Sequence, residues 1–481
     1  MCTSLRQTKI VFTIGPTTSD EAVLTRMIEN GVDVCRFNMA HAQHDWFRDT
    51  IALVNSCCRK VGRRIALMMD VKGPEIRTRD VPDPIDLLLD ELVEFSYQPL
   101  DGGLAYTRNI ASGVHEIGVN YPGFVADLTV GTTVLVDSGL IRLITEELTE
   151  ESVLCRVITP GTLGSRRHIN LPGVKVKLPA LTEKDIADVR VGIEQGIDFF
   201  ALSFVRESSD LDQLRQLLRD HGSGAHVIAK IEDESGVAHL DQIVQASDGV
   251  MVARGDLGIE VPFEQLPIFQ RRAVDTCLSL AKPVIIATHM LESMIHSPVP
   301  TRAEITDISN SVREQADCVM LSGETTIGKY PERCIDVLNR VIMSVQRAQP
   351  GVRNDRLVLK TGKEKMLRAA VDLSEQMSGA GIVVFTRSGD LARLLSAQRP
   401  KASPIFAFTD DENVFKRMLM LWGVEPFLME LDEDPEQTIV NAFDYLKRSE
   451  WAIAGDPMIV ITNVLGKGAK IIDSLQVREI E

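Results

Sequence analysis

Val227-Ile228-Ala229-Lys230-Ile231-Glu232 and, a short way on, Val250-Met251-Val252-Ala253-Arg254-Gly255-Asp256-Leu257-Gly258 are two apolar runs that each end abruptly in charge. An apolar run of this length, bounded by polar residues, reads as a buried parallel strand. Charge at the point where such a strand emerges is costly unless it is paired, metal-bound or functional. Two neighbouring strands of this kind put Lys230, Glu232, Arg254 and Asp256 at one rim. Two carboxylates there can hold a divalent cation and leave room for phosphate oxygens, while the two cations can neutralise an anionic substrate. Two structural salt bridges are the plainer alternative; the Gly255 break beside Asp256 favours close backbone approach to a ligand.

Working outward, the same strand-then-helix alternation recurs. Lys9–Pro16, Val32–Asn38 and Arg64–Asp70 read as strands before it, and Asp198–Phe204, Lys282–Thr288 and Asp317–Gly323 complete the set around the opening pair. Helical periodicity fills the intervals, for example Asp20–Asn30 with Val23, Leu24, Met27 and Ile28 on one face, Phe263–Ala281 and Arg302–Glu314. Between about Val81 and Lys175 the alternation stops; short β-like runs such as Leu92–Ser96, Thr133–Val136 and Val153–Val157 are separated by turn signals at Asp101-Gly102-Gly103 and Asp137-Ser138-Gly139. Eight strands with following helices over roughly 250 residues predict a (β/α)8 TIM barrel with an active site at the C-terminal ends of its strands. Thr13, Arg36, Asn38, Asp70, Lys230, Glu232, Asp256 and Thr288 all stand at those ends. Beyond a linker at Gln349–Asp355, five short strands with intervening helices predict a separate open-sheet α/β domain. The expected division is 1–73 with 177–346 as the barrel, 74–176 as an inserted small all-β lid, and 347–481 as a C-terminal α/β domain.

A chain of 481 residues is too long for one core. Its formal net charge of −16 argues against a nucleic-acid or membrane-surface partner. No apolar run reaches the length of a membrane span, and Met1–Lys9 has no apolar signal region, so a cytoplasmic location is expected. The eight cysteines form no Cys-x-x-Cys pair, which points to a reducing compartment without a zinc site or disulfide framework.

The residues assembled in this way resemble the pyruvate kinase family. Thr13-Ile-Gly-Pro16, Met69-Asp-Val-Lys-Gly-Pro-Glu-Ile-Arg77, Asn170-Leu-Pro-Gly173, Ala229-Lys-Ile-Glu232, Met251–Gly258, Ala287-Thr-His-Met-Leu-Glu-Ser-Met294, Pro300-Thr-Arg-Ala-Glu304 and Met320-Leu-Ser-Gly-Glu-Thr325 stand in that family's order across the whole barrel. Any one of these is weak; the ordered set is specific. The short N-terminus is similar to bacterial members.

The resemblance implies phosphoryl transfer from phosphoenolpyruvate to ADP, giving ATP and pyruvate, as the final step of glycolysis. It implies Mg2+ or Mn2+ held by Glu232 and Asp256, and Lys230 stabilising the transferring phosphoryl group and the enolate. Arg36 would contact the same phosphoryl group, with Arg77 as a second cation near the phosphate. Ala253, Arg254 and Gly255 would offer backbone donors to the substrate carboxylate, and Thr288 would relay a proton through water. Thr13, Arg36, Asn38, His41 and Arg167 match nucleotide positions. Asn38, Asp70 and Val71 match a K+ site. A homotetramer is implied, with a sugar-phosphate or nucleotide effector in the C-terminal domain.

Several positions depart from the family pattern. Arg36-Phe-Asn-Met-Ala-His-Ala42 and Asp70-Val71-Lys72-Gly73 lack hydroxyls usual in the K+ site, at Ala40 and Val71, while Glu75 keeps the acidic residue that goes with a bound cation. Ala287-Thr288-His289-Met290 carries a histidine where glutamine is usual. Thr386-Arg-Ser-Gly-Asp-Leu391 resembles a sugar-phosphate loop but places Asp390 at a usual cation and Leu391 at a usual hydroxyl; Thr462–Ala469 resembles the second effector loop only loosely. The expected K+ dependence is weakened and poorly selective. A metal-dependent lyase acting on pyruvate enolate would share Glu232 and Asp256 without needing a lid, and a non-catalytic descendant would have lost the rim lysine or carboxylates.

Overall fold

The computed structural model describes residues 6–98, 105–109, 111–349, 352–377, 380–465 and 471–481. The turn at Asp101–Gly103, part of the Gln349–Asp355 linker and much of the Thr462–Ala469 loop lie outside them.

Eight strands close into a barrel: Lys9–Thr13, Val34–Asn38, Ala66–Val71, Phe199–Leu202, His226–Ile231, Gly249–Ala253, Val284–Ala287 and Cys318–Leu321. Neighbours follow chain order, and all eight pairings are parallel, including the closing pair in which Lys9 faces Cys318 and Phe12 faces Leu321. Side chains alternate along each strand. Phe12, Cys35, Phe37 and Ile286 pack outward against the helices, while Val11, Val34, Met68, Phe199, Ile228, Met251 and Met320 fill the interior. The interior cluster also contains Phe415, Leu419 and Met420 from the C-terminal domain. That domain therefore plugs the N-terminal end of the barrel and leaves the C-terminal rim as the open end. Lys9, whose ammonium donates to the Val424 carbonyl at 2.7 Å, and the buried Arg399–Asp317 pair at 2.7 Å fasten the two together.

The inserted module has its own core, built from Ile76, Val93, Phe95, Ile117, Val134, Leu143, Val153 and Leu171 among others. It comprises a seven-stranded sheet and a two-stranded sheet. The expected runs appear as Leu92–Ser96, Thr133–Val136 and Ser152–Thr159. Asp137, Ser138 and Gly139 all have positive φ, the tight reversal their composition predicts. The C-terminal sheet runs Val424–Leu428, Ile405–Thr409, Gly381–Phe385, Pro457–Leu465, Ile471–Glu479, with only the last pairing antiparallel.

Two helical expectations change in detail. The segment read as one helix from Phe263 is a short 3-10 turn, Phe263–Gln265, followed by Leu266–Ser279, because Pro267 is tolerated only in the first turn of a helix. The helical periodicity over Ala238–Ala246, which predicts one helix, falls on two pieces, Glu234–Ala238 and Leu240–Ala246, parted at His239.

Candidate active site

Lys230 lies near the end of the fifth barrel strand and Glu232 just beyond it; both are buried, as is Asp70 on the third strand. The Lys230 ammonium is 3.0 Å from Asp70 Oδ1 and 2.9 Å from Glu232 Oε1, and it donates to Ser203 Oγ at 2.6 Å. Burial alone would pull the Lys230 ammonium down, but Asp70 and Glu232 overturn that and hold it above its ordinary value. For Asp70, burial pushes upward and is outweighed by Arg36 and Lys230, leaving it below the usual carboxylate range. Arg36 donates to Asp70 Oδ2 at 2.7 Å and to Thr13 Oγ1 at 2.8 Å. Strand register brings these groups together, since Thr13 faces Arg36 and Asn38 faces Asp70 across neighbouring strands.

Glu232 pairs with Lys230, an ammonium it shares with Asp70, whereas Asp70 also holds Arg36. Glu232 Oε2 accepts from the Phe204 backbone N–H at 2.7 Å, a geometry for which Phe204 adopts φ +53. Burial raises the Glu232 carboxyl to about 7; Lys230 opposes this, and Asp256 and Asp70 add to it. A buried carboxylate under acidic neighbours is a place where one further positive charge fits. Among the described residues no group of three or more His, Cys, Asp or Glu side chains could cage a metal. Asp256 acts on the charge of Glu232, and two carboxylates suit an Mg2+-type ion that takes its remaining oxygens from water and substrate.

Asp256 lies in the first turn of the helix Arg254–Glu260. Gly255 N donates to Thr288 Oγ1 at 2.8 Å, and that hydroxyl donates to the Ala287 carbonyl at 2.6 Å. Thr288 and His289 both have left-handed backbones, at φ +67 and +57. A β-branched residue in this region is strained and persists only where its surroundings fix it. Arg254 supplies that fixing: its guanidinium donates to the carbonyls of Ala287 and Thr288 and pairs with Asp307 at 2.6 Å. The expectation of four charged side chains facing one rim therefore changes. The Arg254 side chain is buried beneath the Thr288 turn and acts on the backbone, leaving Lys230 and Arg36 as the cations of the cluster.

The remaining predicted residues lie further out. Asn38 is half-buried, with Oδ1 accepting from Ala40 N at 3.1 Å, and His41 is exposed. Arg77 and Lys72 both pair with Glu75, at 2.8 and 3.0 Å, and Arg77 also donates to the Arg166 carbonyl. Arg167 pairs with Asp137 inside the lid at 3.2 Å. Neither Arg77 nor Arg167 touches the Lys230 cluster. At the K+ positions, Val71 is buried and both Asp70 oxygens are already engaged, Oδ2 by Arg36 and Oδ1 by Lys230 and Ser203. Between lid and barrel lies a cavity of about 590 Å3 lined by Glu75, His168, Asn170, Phe204, Asp233 and Glu260. Sequence reasoning missed Ser203 and the Phe204 amide; the signal was their place at the end of the fourth barrel strand.

The fold is that of a (β/α)8-barrel protein with a charged, open rim, an inserted β lid and a separate α/β domain. Models of the pyruvate kinase barrel domain and the pyruvate kinase alpha/beta domain match residues 5–335 and 364–477. Plastidial pyruvate kinase 2 of Arabidopsis thaliana is 39% identical, covering 95% of this chain and 78% of its own. The pyruvate kinase of Clostridium acetobutylicum is 33% identical over 99% of this chain and 100% of its own. The crystal structure of a pyruvate kinase from Cryptosporidium parvum superposes with a TM-score of 0.91 at 30% identity, covering 99% of this chain and 96% of that one. The chain belongs to the pyruvate kinase family. Its activity is the family's, transfer of the phosphoryl group of phosphoenolpyruvate to ADP to give ATP and pyruvate, and the lyase reading falls away.

Proposed function

We propose that the Lys230–Asp70–Glu232–Asp256 rim is where this transfer takes place. The observation that carries the reading is a buried ammonium held 3.0 and 2.9 Å from two buried carboxylates, Asp70 and Glu232. Glu232 and Asp256 hold Mg2+ or Mn2+, which when bound supplies positive charge for the substrate oxygens. Lys230, kept protonated by its neighbours, faces the charge that develops during transfer, where a fixed cation in a water-poor site acts most strongly. Arg36, immobilised by Asp70 and Thr13, is a second preorganised donor to the same phosphoryl group. Thr288 relays a proton to the enolate carbon through water, its hydroxyl orientation set by Gly255 N and the Ala287 carbonyl. Gly255 N is committed to Thr288, so it reaches the substrate carboxylate only if that bond opens.

The lid, 74–176, brings Arg77 and Arg167 toward the nucleotide phosphates on closing, where Thr13, Asn38 and His41 meet them. The division into a barrel (1–73 with 177–346), this lid and a regulatory domain (347–481) belongs to the same reading, as do a glycolytic role and a phosphorylated effector. A homotetramer belongs to the same reading. So does a cytoplasmic location, and the seven described cysteines are free. The test is titration of Mn2+ by its paramagnetic signal. Wild-type protein binds the ion tightly, Glu232→Gln and Asp256→Asn at least tenfold more weakly; equal binding by all three places the ion elsewhere.

A further inference from the structure

Among the described residues, a half-buried polar contact joins the lid to the helix that carries Asp256. Asn170 ends the last strand of the lid, Ile169–Asn170, is 3% exposed, and donates from Nδ2 to Glu260 Oε1 at 2.7 Å. Glu260 is the last residue of the helix Arg254–Glu260, whose first turn holds Gly255 and Asp256. One residue earlier, Ile259 lies against the lid turn at Gly139, so the same helix end meets the lid twice. A helix of seven residues is short and stiff. Displacement at Glu260 is therefore felt at Asp256 and at the Gly255–Thr288 bond.

The contact has one unmatched atom. Asn170 Oδ1 is buried and has no hydrogen-bond partner, a costly state for a carboxamide oxygen. A neutral Glu260 carboxyl resolves it, because an acid and a carboxamide are complementary: one carboxyl oxygen accepts from Nδ2 while the hydroxyl donates to Oδ1. Burial favours that form. It lifts Glu260 to about 7 against the Asn170 bond, and Asp233, Asp256 and Glu234 add to it, while His168, Lys175, Lys177, Arg206 and His239 line the same cavity.

We propose that Glu260 and Asn170 form a latch that sets the lid over the rim and passes its position to Asp256, with Glu260 acting as a positioning residue. The inference rests on the rim being the site of phosphoryl transfer, as proposed above. Neither residue touches the reacting atoms.

Full-length wild type, Glu260→Gln, Glu260→Ala, Asn170→Ala and the Glu260→Ala/Asn170→Ala double variant are compared by steady-state kinetics in ADP, by thermal melting, and by amide hydrogen exchange over residues 164–176. Glutamine keeps both an acceptor and a donor, so Glu260→Gln retains kcat/KM for ADP within about twofold. Each alanine variant loses about tenfold in kcat/KM and loses exchange protection in the 164–176 segment, and the double variant is no worse than either single one, as a shared interaction requires. Wild-type constants in the alanine variants, equal damage from glutamine and alanine, or multiplied losses in the double variant would each overturn the latch. Glu260→Asp, one methylene shorter, gives the same comparison if an alanine variant does not fold. A wild type without ADP-dependent turnover would instead count against the rim as the site of transfer, and the exchange data then decide the latch alone: protection lost in alanine but kept in glutamine supports it, and unchanged protection overturns it.

Discussion

Lys230 Nζ lies 3.0 Å from Asp70 Oδ1, two buried groups brought together from the fifth and third strands of the barrel. Asp70 in turn binds Arg36, so one carboxylate orients both cations of the cluster. Neither cation is free to swing toward solvent, and preorganisation of this kind is what phosphoryl transfer asks of a protein.

Lys230→Met is expected to lower turnover by about 10²–10³ while phosphoenolpyruvate binding changes by only a few-fold, since Lys230 acts where charge moves. Single-turnover measurements separate the two steps. Near-normal turnover would remove Lys230 from the mechanism.

The barrel base predicts acid sensitivity. Burial depresses His226 to about 4, with Arg417, Arg215 and Lys282 adding to the effect and Asp248 opposing it. The folded value lies below the unfolded one, so the unfolded chain binds more protons in this window and stability falls as pH drops from about 6.5 to about 4. For this half-buried ring the loss is expected to be about 1–3 kcal/mol. His226→Gln should flatten the midpoint-against-pH curve of denaturant unfolding below pH 6.5; parallel curves for the two proteins would contradict the assignment.

Potassium dependence is expected to be slight. Ala40 and Val71 offer no side-chain oxygen, Asp70 is fully engaged, and the charge of Glu75 is met by Lys72 and Arg77. For Glu75, burial pushes the carboxyl up but both bonds outweigh it and hold it ionised. The residue that in sequence argues for a bound cation is thus already balanced by the protein. Activity at fixed ionic strength should agree within about twofold among potassium, sodium and tetramethylammonium salts. A steep, saturable requirement for potassium, with sodium inert, would refute this.

Fructose bisphosphate is expected to activate poorly. Asp390 begins the helix after the phosphate-like loop, accepts from Ser388 Oγ at 3.1 Å and pairs with Arg393 at 3.1 Å. A phosphate entering this loop meets a carboxylate and finds both donors engaged. A strong leftward shift of the substrate-saturation curve at micromolar effector would contradict it.

The barrel was legible because buried parallel strands are written as apolar runs, and the rim because charge at their ends has few structural uses. The lid was legible as a break in alternation. What escaped was set by distant parts of the chain. Ser203 gives no sign in sequence that it receives Lys230, and the Phe204 amide reaches Glu232 only through a left-handed backbone turn. Arg254 reads as a substrate cation beside Asp256, yet its guanidinium is used beneath the Thr288 turn. Asn170 and Glu260, 90 residues apart, meet only in the folded protein.

The most direct test of the central claim is pyruvate formation from phosphoenolpyruvate, followed in a coupled assay with ADP and Mg2+ for wild type and for Lys230→Met, Glu232→Gln and Asp256→Asn. Rapid turnover that needs both ADP and Mg2+, lost by two or more orders of magnitude in each variant, is the predicted result. Wild-type turnover that is independent of ADP, or that survives in the variants, would contradict the account.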